Sequence, residues 1–114
     1  MDLYTVMCVR DRTEAHAWYE AFFGRPADET IGEELLWRLG ENAWLVVDDR
    51  EVRAARVGGA MVTLGVSGLD EMLARFAAHG IRHEPVETYG NGVRHVVVLD
   101  PDGNSLSLAE APAD

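Results

Sequence analysis

The sequence of residues 99–110 is LDPDGNSLSLAE, and this stretch decides how the second half of the chain folds. Its central part, Asp100–Asn104, has the composition of a tight turn, because proline presets φ, aspartate and asparagine bond their own backbone, and Gly103 accepts positive φ. A run of valines precedes the turn, and Leu106 and Leu108 alternate with other residues after it. The pattern predicts two antiparallel strands joined at this turn.

The N-terminal part of the chain has the pattern of a strand followed by a helix. Residues Leu3–Val9 are rich in β-forming side chains, and Asp11 has Glu14 three residues later, which is typical of a capped helix start. The apolar residues that follow recur with helical spacing, at Ala15, Trp18, Tyr19 and Phe22. Gly24 and Pro26 end the predicted helix.

The same strand-helix unit returns in the second half. A β-forming run at Met61–Val66 precedes Ser67, which is the predicted N-cap of a second helix. The apolar stripe of that helix consists of Leu69, Met72, Leu73 and Phe76. Gly80 ends it. The chain therefore contains an internal repeat.

Each strand-helix unit is followed by about three further predicted strands. They lie at 27–31, 35–39 and 43–48 in the first half and at 82–88, 93–99 and 105–109 in the second. A unit present in only two copies indicates two modules packed about a pseudo-twofold axis rather than a solenoid. The sequence predicts one α+β domain of two βαβββ modules, with module 1 at residues 1–48, a charged linker at 49–59 and module 2 at 60–114.

Charge and cysteine content narrow the class of protein. The formal net charge is −10 at pH 7 and the basic residues are single arginines spread along the chain, so nucleic acid is not an expected partner. Negative charge favours a cationic small molecule. No apolar run approaches the roughly 20 residues of a membrane span, and no signal-peptide pattern is present. Cys8 is the single cysteine, which fits a cytoplasmic location.

Two βαβββ modules, an Asp-capped helix that carries Trp18 and Tyr19, and a DPDGN turn before an alternating strand resemble the vicinal oxygen chelate superfamily. This superfamily includes glyoxalase I, the bleomycin and fosfomycin resistance proteins and the extradiol dioxygenases. The resemblance covers nearly the whole chain and implies curved mixed sheets that enclose a cleft. It also implies a homodimer with C₂ symmetry.

In metal-using relatives the ligands come from the first strand of each module and from the last strand. Aligned on this pattern, Tyr4 takes the position usually held by histidine, Met61 takes the matching position of module 2, and Ser107 replaces the closing carboxylate. Phenol, thioether and serine hydroxyl are poor ligands for divalent cations. We therefore expect no metal, no other cofactor and no catalytic residues, and predict sequestration of a small molecule as in the bleomycin-resistance-like branch.

Strand alternation identifies the side chains that share a face with these positions. The predicted ligand-binding residues are Tyr4, Trp37, Trp44, Met61, Thr63, His95, Val97 and Ser107. Trp37 and Trp44 either form flat walls for a planar ligand or pack in the core, and His95 either contacts the ligand or is satisfied within its strand.

The alternative interpretation is an enzyme. It is a metal-dependent glyoxalase-like lyase or isomerase, or an extradiol-type dioxygenase, whose carboxylate ligands reach the cleft if a strand register differs by one residue. The candidate carboxylates are Glu34, Asp48, Glu84 and Glu110.

Overall fold

The structure is a computed structural model that describes residues 1–113, and it contains two four-stranded sheets with one helix each. In chain order the elements are β1 (Leu3–Cys8), α1 (Arg12–Phe23), β2 (Glu29–Ile31), β3 (Glu34–Gly40), β4 (Ala43–Asp48), a 3-10 helix (Glu51–Arg56), β5 (Met61–Gly65), α2 (Leu69–Ala78), β6 (Glu87–Thr88), β7 (Arg94–Leu99) and β8 (Ser105–Glu110). We call the 3-10 helix the linker helix. Neither α-helix within residues 1–113 has the length and apolar character that crossing a bilayer requires.

The two sheets have the same topology. Their strand orders are β1-β4-β3-β2 and β5-β8-β7-β6, and in each sheet the first strand pairs in parallel with the last strand of its module while the other pairs are antiparallel. Both sheets are therefore mixed and open. The α+β fold of two similar halves, predicted from the repeat, is confirmed.

One side of each sheet forms the core with the helices. The buried apolar side chains of the sheets that lie on this side are Met7, Val9, Leu35, Trp37, Leu45, Val47, Val96, Val98, Leu106 and Leu108. Tyr19 and Phe22 from α1 and Phe76 from α2 complete it, all three fully buried. The rings of Phe22 and Phe76 stack with centroids 5.2 Å apart, so the two helices join the modules.

The predicted turn at Asp100–Asn104 is confirmed, with Gly103 at φ 97°. The Asp100 carboxylate accepts hydrogen bonds from the backbone N–H groups of Asp102 and Asn104, at 2.9 and 2.8 Å. The Asn104 amide nitrogen donates to the Cys8 carbonyl, and its oxygen accepts from Ala60 N–H, both at 2.9 Å. The turn therefore connects the end of β1 to the start of β5.

A carboxylate at the end of the last strand of each module caps the helix of that module. The α1 start is as predicted, with Asp11 accepting from Glu14 N–H at 2.9 Å, and Asp49 additionally accepts from Arg12 N–H at 2.8 Å. In module 2 the expected cap at Ser67 is wrong, because the N-cap is Gly68 at φ 76°. Glu110 accepts from the N–H of Leu69, the first helical residue, at 2.8 Å and supplies the missing acceptor.

The strand expected at 82–88 is much shorter than predicted. Only Glu87–Thr88 pair with β7, although the Glu84 N–H donates to the Val97 carbonyl at 2.9 Å. Pro85 lies between these contacts and has no N–H for a strand ladder, which accounts for the break. β2 likewise begins two residues later than expected, at Glu29.

Candidate functional site

The side of the two sheets that faces away from the helices is the candidate binding surface, and we call it the open face. Alternation places on it Tyr4, Val6, Cys8, Trp44, Val46, Asp48, Met61, Thr63, Gly65, His95, Val97, Leu99, Ser105 and Ser107. Met61 and Tyr4 are strongly exposed, at 84% and 53%. Each sheet therefore exposes a large side chain on this face.

The structure places three of the predicted residues side by side in one row that runs across the strands of the second sheet. Thr63, Ser107 and Val97 are neighbours across β5, β8 and β7, and Ser107 is buried beneath this surface. Met61 lies in the next row, opposite Ser105. The predicted residues of module 2 thus share a single surface.

The two tryptophans do not share a surface, which corrects the expectation of paired flat walls. Trp37 pairs with Leu45 and is fully buried in the core, where its ring stacks on Phe23 with centroids 5.6 Å apart. Trp44 pairs with Arg38 and lies on the open face, with the Arg38 guanidinium 5.6 Å from its ring centroid. Only Trp44 is placed to contact a ligand on the open face.

The positions that carry metal ligands in metal-using relatives do not fit a metal here. Thr63 pairs with Ser107 in module 2 just as Val6 pairs with Val46 in module 1, so the fourth position belongs to Val46. Tyr4, Val46, Met61 and Ser107 offer neither imidazole nor carboxylate. Across residues 1–113, moreover, no three histidine, cysteine, aspartate or glutamate side chains lie close enough to hold an ion.

His95 presents an unpaired polar atom. Its Nδ1 is buried and has no hydrogen-bond partner within the described part of the chain. Its ring stacks on Tyr89 with centroids 5.6 Å apart. A buried imidazole nitrogen without a partner is costly, so it is a natural point for a ligand hydrogen bond.

A cavity of about 460 Å³ opens beside β1 on the open face. Its lining consists of Val6, Cys8, Arg53, Arg56, Gly59 and Ala60. None of the eight predicted ligand-binding residues lines it. The floor comes from β1, as expected for a surface site of these sheets, and the charged wall comes from the linker helix.

Two arginines paired with the buried carboxylate of Asp48 fix this wall. Asp48 is fully buried and accepts three hydrogen bonds from the Arg50 side chain at 2.8–3.1 Å, which hold the pKa of the carboxyl below its usual range. The Nε of Arg53 lies 2.8 Å from the same carboxylate. Arg53 is therefore held in place at the cavity.

Cys8 is not an activated nucleophile in this cavity. Burial and the negative charge of Asp48 raise the pKa of its thiol, although the nearby arginines act in the opposite direction. The thiol is therefore protonated at neutral pH. Cys8 is 5% exposed and packs as a small buried side chain.

The candidate carboxylates of the enzyme interpretation serve other roles. Asp48 is bound to arginines, Glu34 lies 3.8 Å from Arg50, and Glu110 caps α2 and pairs with Arg94 at 2.6 Å. Glu84 is exposed. They are not gathered at one point of the open face.

A second cavity, of about 360 Å³, lies between the neighbouring edges of the two sheets. Its lining is mostly apolar and includes Leu3 and Thr5 of β1, Thr63 and Leu64 of β5, and Met72 of α2. Thr63 is the one predicted residue that reaches it. Arg25 and Arg38 also line it, but Arg25 is bound to Asp28 and Arg38 to the carbonyls of Gly40 and Glu41.

Sequence reasoning missed Arg53 and Arg56 because it treated residues 49–59 as a connection. A signal was present, since Arg50, Arg53 and Arg56 recur every third residue, the period of a 3-10 helix, and account for three of the ten basic residues of the chain. The arginines are thus clustered, not spread evenly as we expected.

Comparisons with known proteins agree with this architecture. The family model of the Glyoxalase/Bleomycin resistance protein/Dioxygenase superfamily matches residues 3–108. A glyoxalase/bleomycin resistance protein from Catenulispora acidiphila DSM 44928 is 34% identical, with a TM-score of 0.86 over 98% of this chain and 99% of that one. No curated protein sequence matches.

More distant structures share the fold alone. A lactoylglutathione lyase from Agrobacterium tumefaciens is 24% identical, with a TM-score of 0.75 over 96% of this chain and 92% of that one. The oxidase ChaP-H1 is 20% identical, with a TM-score of 0.79 over 98% and 96% of the two chains. One architecture therefore carries different chemistries, and the side chains of the site must distinguish them.

Proposed function

Because the chain belongs to the glyoxalase/bleomycin resistance protein/dioxygenase superfamily, we propose that it binds an organic small molecule on the open face and sequesters it without a metal ion. The observation that carries this proposal is the donor set at the four ligand positions, Tyr4, Val46, Met61 and Ser107. These side chains suit contact with an organic molecule better than coordination of a divalent cation.

The open face offers what such a molecule needs. The cavity of about 460 Å³ is within the range of small-molecule sites, which is roughly 300–1,000 Å³. Val6 and Ala60 supply apolar surface and the arginines supply orientation. Tyr4 and Trp44 are cross-strand partners on the same face, two residues along from Val6, and supply aromatic surface, which supports a planar ligand.

We also propose that two copies associate with C₂ symmetry. Met61, Leu99 and Tyr4 are 84%, 53% and 53% exposed on the open face, and Tyr89 is 44% exposed beside His95. A second copy would shield these apolar side chains and deepen the site. The single cysteine, buried at Cys8, supports a cytoplasmic location for the complex.

Elemental analysis and amide resonances together test the binding proposal. We expect protein purified from its native host to lack near-stoichiometric zinc, iron, manganese or nickel, and planar aromatic compounds to shift the resonances of Val6, Cys8 and Ala60. Near-stoichiometric metal whose chelation abolishes a lyase or ring-cleaving turnover would instead establish the enzyme interpretation. Shifts confined to the helix side of the sheets would place binding elsewhere.

A further inference from the structure

The charge of the cavity beside β1 is opposite to that of the whole protein. The chain carries a formal net charge of −10, yet the charged side chains that line this cavity are Arg53 and Arg56. The carboxylate next to them, Asp48, is fully buried behind the cavity wall. This local reversal of sign is the observation that the proposal below explains.

The two arginines differ in how much of their charge is compensated. Arg53 shares the Asp48 carboxylate with Arg50, but only Arg50 makes hydrogen bonds to it, whereas the Arg53 Nε lies 2.8 Å away without hydrogen-bond geometry. Arg56 has no ion-pair partner within residues 1–113. The guanidinium groups at the cavity therefore keep donors free for another acceptor.

We propose that this cavity binds the carboxylate of a small organic acid between Arg53 and Arg56. The inference rests on the proposed binding function and assigns the class of ligand. A planar guanidinium presents paired N–H donors that match the two oxygens of a carboxylate. Arg53 is already held by Asp48, so it loses little freedom on binding, and Arg56 supplies the uncompensated charge.

The charge of the cavity lining, rather than the net charge of the protein, determines which ligand charge the cavity prefers. The overall negative charge attracts cations from afar, but at physiological ionic strength it is screened over about 8 Å. A carboxylate seated in the cavity is in contact with both guanidinium groups. The cavity therefore favours an anion, whereas the composition of the chain as a whole favours a cation.

Benzoate, benzamide and benzamidine provide a matched test, because they have similar planar shapes and differ mainly in charge. We expect benzoate to shift the amide resonances of Val6, Cys8 and Ala60 at the lowest concentration and benzamidine at the highest. Arg56→Gln should weaken benzoate binding roughly five- to tenfold and leave benzamide unchanged, as for loss of one charge-assisted contact. Arg56→Lys should retain part of the affinity.

Arg82→Gln is the control, since Arg82 is exposed and lies outside the cavity lining. Arg56→Gln and Arg82→Gln each remove one positive charge, so a difference in benzoate affinity between them reports a local effect at the cavity. Tighter binding of benzamidine, or equal benzoate affinity in Arg56→Gln and the unaltered protein, would overturn the assignment of an organic acid while leaving binding on the open face intact. If none of the three compounds shifts any open-face resonance, both proposals fail.

Discussion

The phenolic hydroxyl of Tyr19 donates a 2.7 Å hydrogen bond to Oδ2 of Asp100, so the helix of module 1 is bound to the closing turn of module 2. Asp100 also accepts from the backbone of the turn and from the Asn104 side chain. The acidic first residue of the DPDGN sequence is thus a structural acceptor. The turn is therefore held by contacts that involve none of the four metal-ligand positions.

Tyr19→Phe should lower the free energy of unfolding by about 1–3 kcal/mol, because it removes a buried donor to a carboxylate and leaves the ring in place. Chemical denaturation measures this change. Tyr89→Phe is the matched control, since Tyr89 is an exposed tyrosine. Equal stability of the two variants would show that the bond between the modules contributes nothing.

Stability should fall as the pH rises above about 10. Burial, with the neighbouring Asp100 charge, raises the pKa of Tyr19 well above its ordinary value of 10.0. Above pH 10 the unfolded chain releases this proton while the folded chain retains it, so unfolding becomes more favourable with increasing pH. The chain has no lysine, and the raised pKa of the Cys8 thiol acts in the same direction, so Tyr19→Phe isolates the share of Tyr19. Tyr19→Phe should flatten the slope of stability against pH; an unchanged slope would contradict this assignment.

Gly103→Ala should cost about 1–3 kcal/mol of stability, because Gly103 has φ 97° and a side chain there strains the backbone. Space is not limiting, since an added Cβ would lie 3.8 Å from its nearest neighbour, the Gly58 carbonyl oxygen. Gly40→Ala is the control, because Gly40 has ordinary φ and an open surrounding. Thermal melting compares the two, and equal melting temperatures would argue against strain at the turn.

Acid should weaken the module 2 helix cap. The Arg94 guanidinium, followed by the Leu69 N–H, lowers the pKa of Glu110 below its ordinary value of 4.5. The stabilisation is therefore complete above that ordinary value and is lost as the pH falls through the lowered pKa. Glu110→Gln should be less stable than the unaltered protein at pH 7, with the difference shrinking at pH 3. A difference independent of pH would mean that ionisation of Glu110 is not involved.

Light scattering after size exclusion should give about twice the chain mass of 12.6 kDa if two copies cover the open face. Met61→Glu should shift the population towards monomer, because it places a charge where apolar surface would be buried. Val52→Glu is a suitable control, since Val52 is 83% exposed on the linker helix. A monomer at micromolar concentration would contradict the proposed association.

The elements that follow from local rules could be predicted from the sequence. The turn at Asp100–Asn104, the Asp11 cap and the bounds of β4 depend on neighbouring residues, and all three occur as expected. The faces on which Trp37 and Trp44 lie depend instead on the register in which β3 pairs with β4. The register shift next to Gly40 places Arg38 rather than Leu39 opposite Trp44, and this difference of one residue puts Trp37 on the other face from Trp44.

The charged wall of the site could not be predicted in the same way. Arg53 and Arg56 reach the cavity because the linker helix folds back against β1, where the Gly58 N–H donates to the Cys8 carbonyl at 3.2 Å. That contact joins residues far apart in the sequence, and no local pattern encodes it. The spacing of the arginines indicates that they share one face of a 3-10 helix, but it does not indicate which part of the protein that face contacts.

The Asn104 side chain also sets an order of assembly. The first 49 residues can pair β1 with β4 and cap α1 through Asp49, but the amide donor to the Cys8 carbonyl lies 96 positions after it. A chain emerging from the ribosome can thus build its first half early, whereas this hydrogen bond between the halves forms only after Asn104 has emerged. Because closing so long a loop is slow, joining the two halves is the step expected to limit folding.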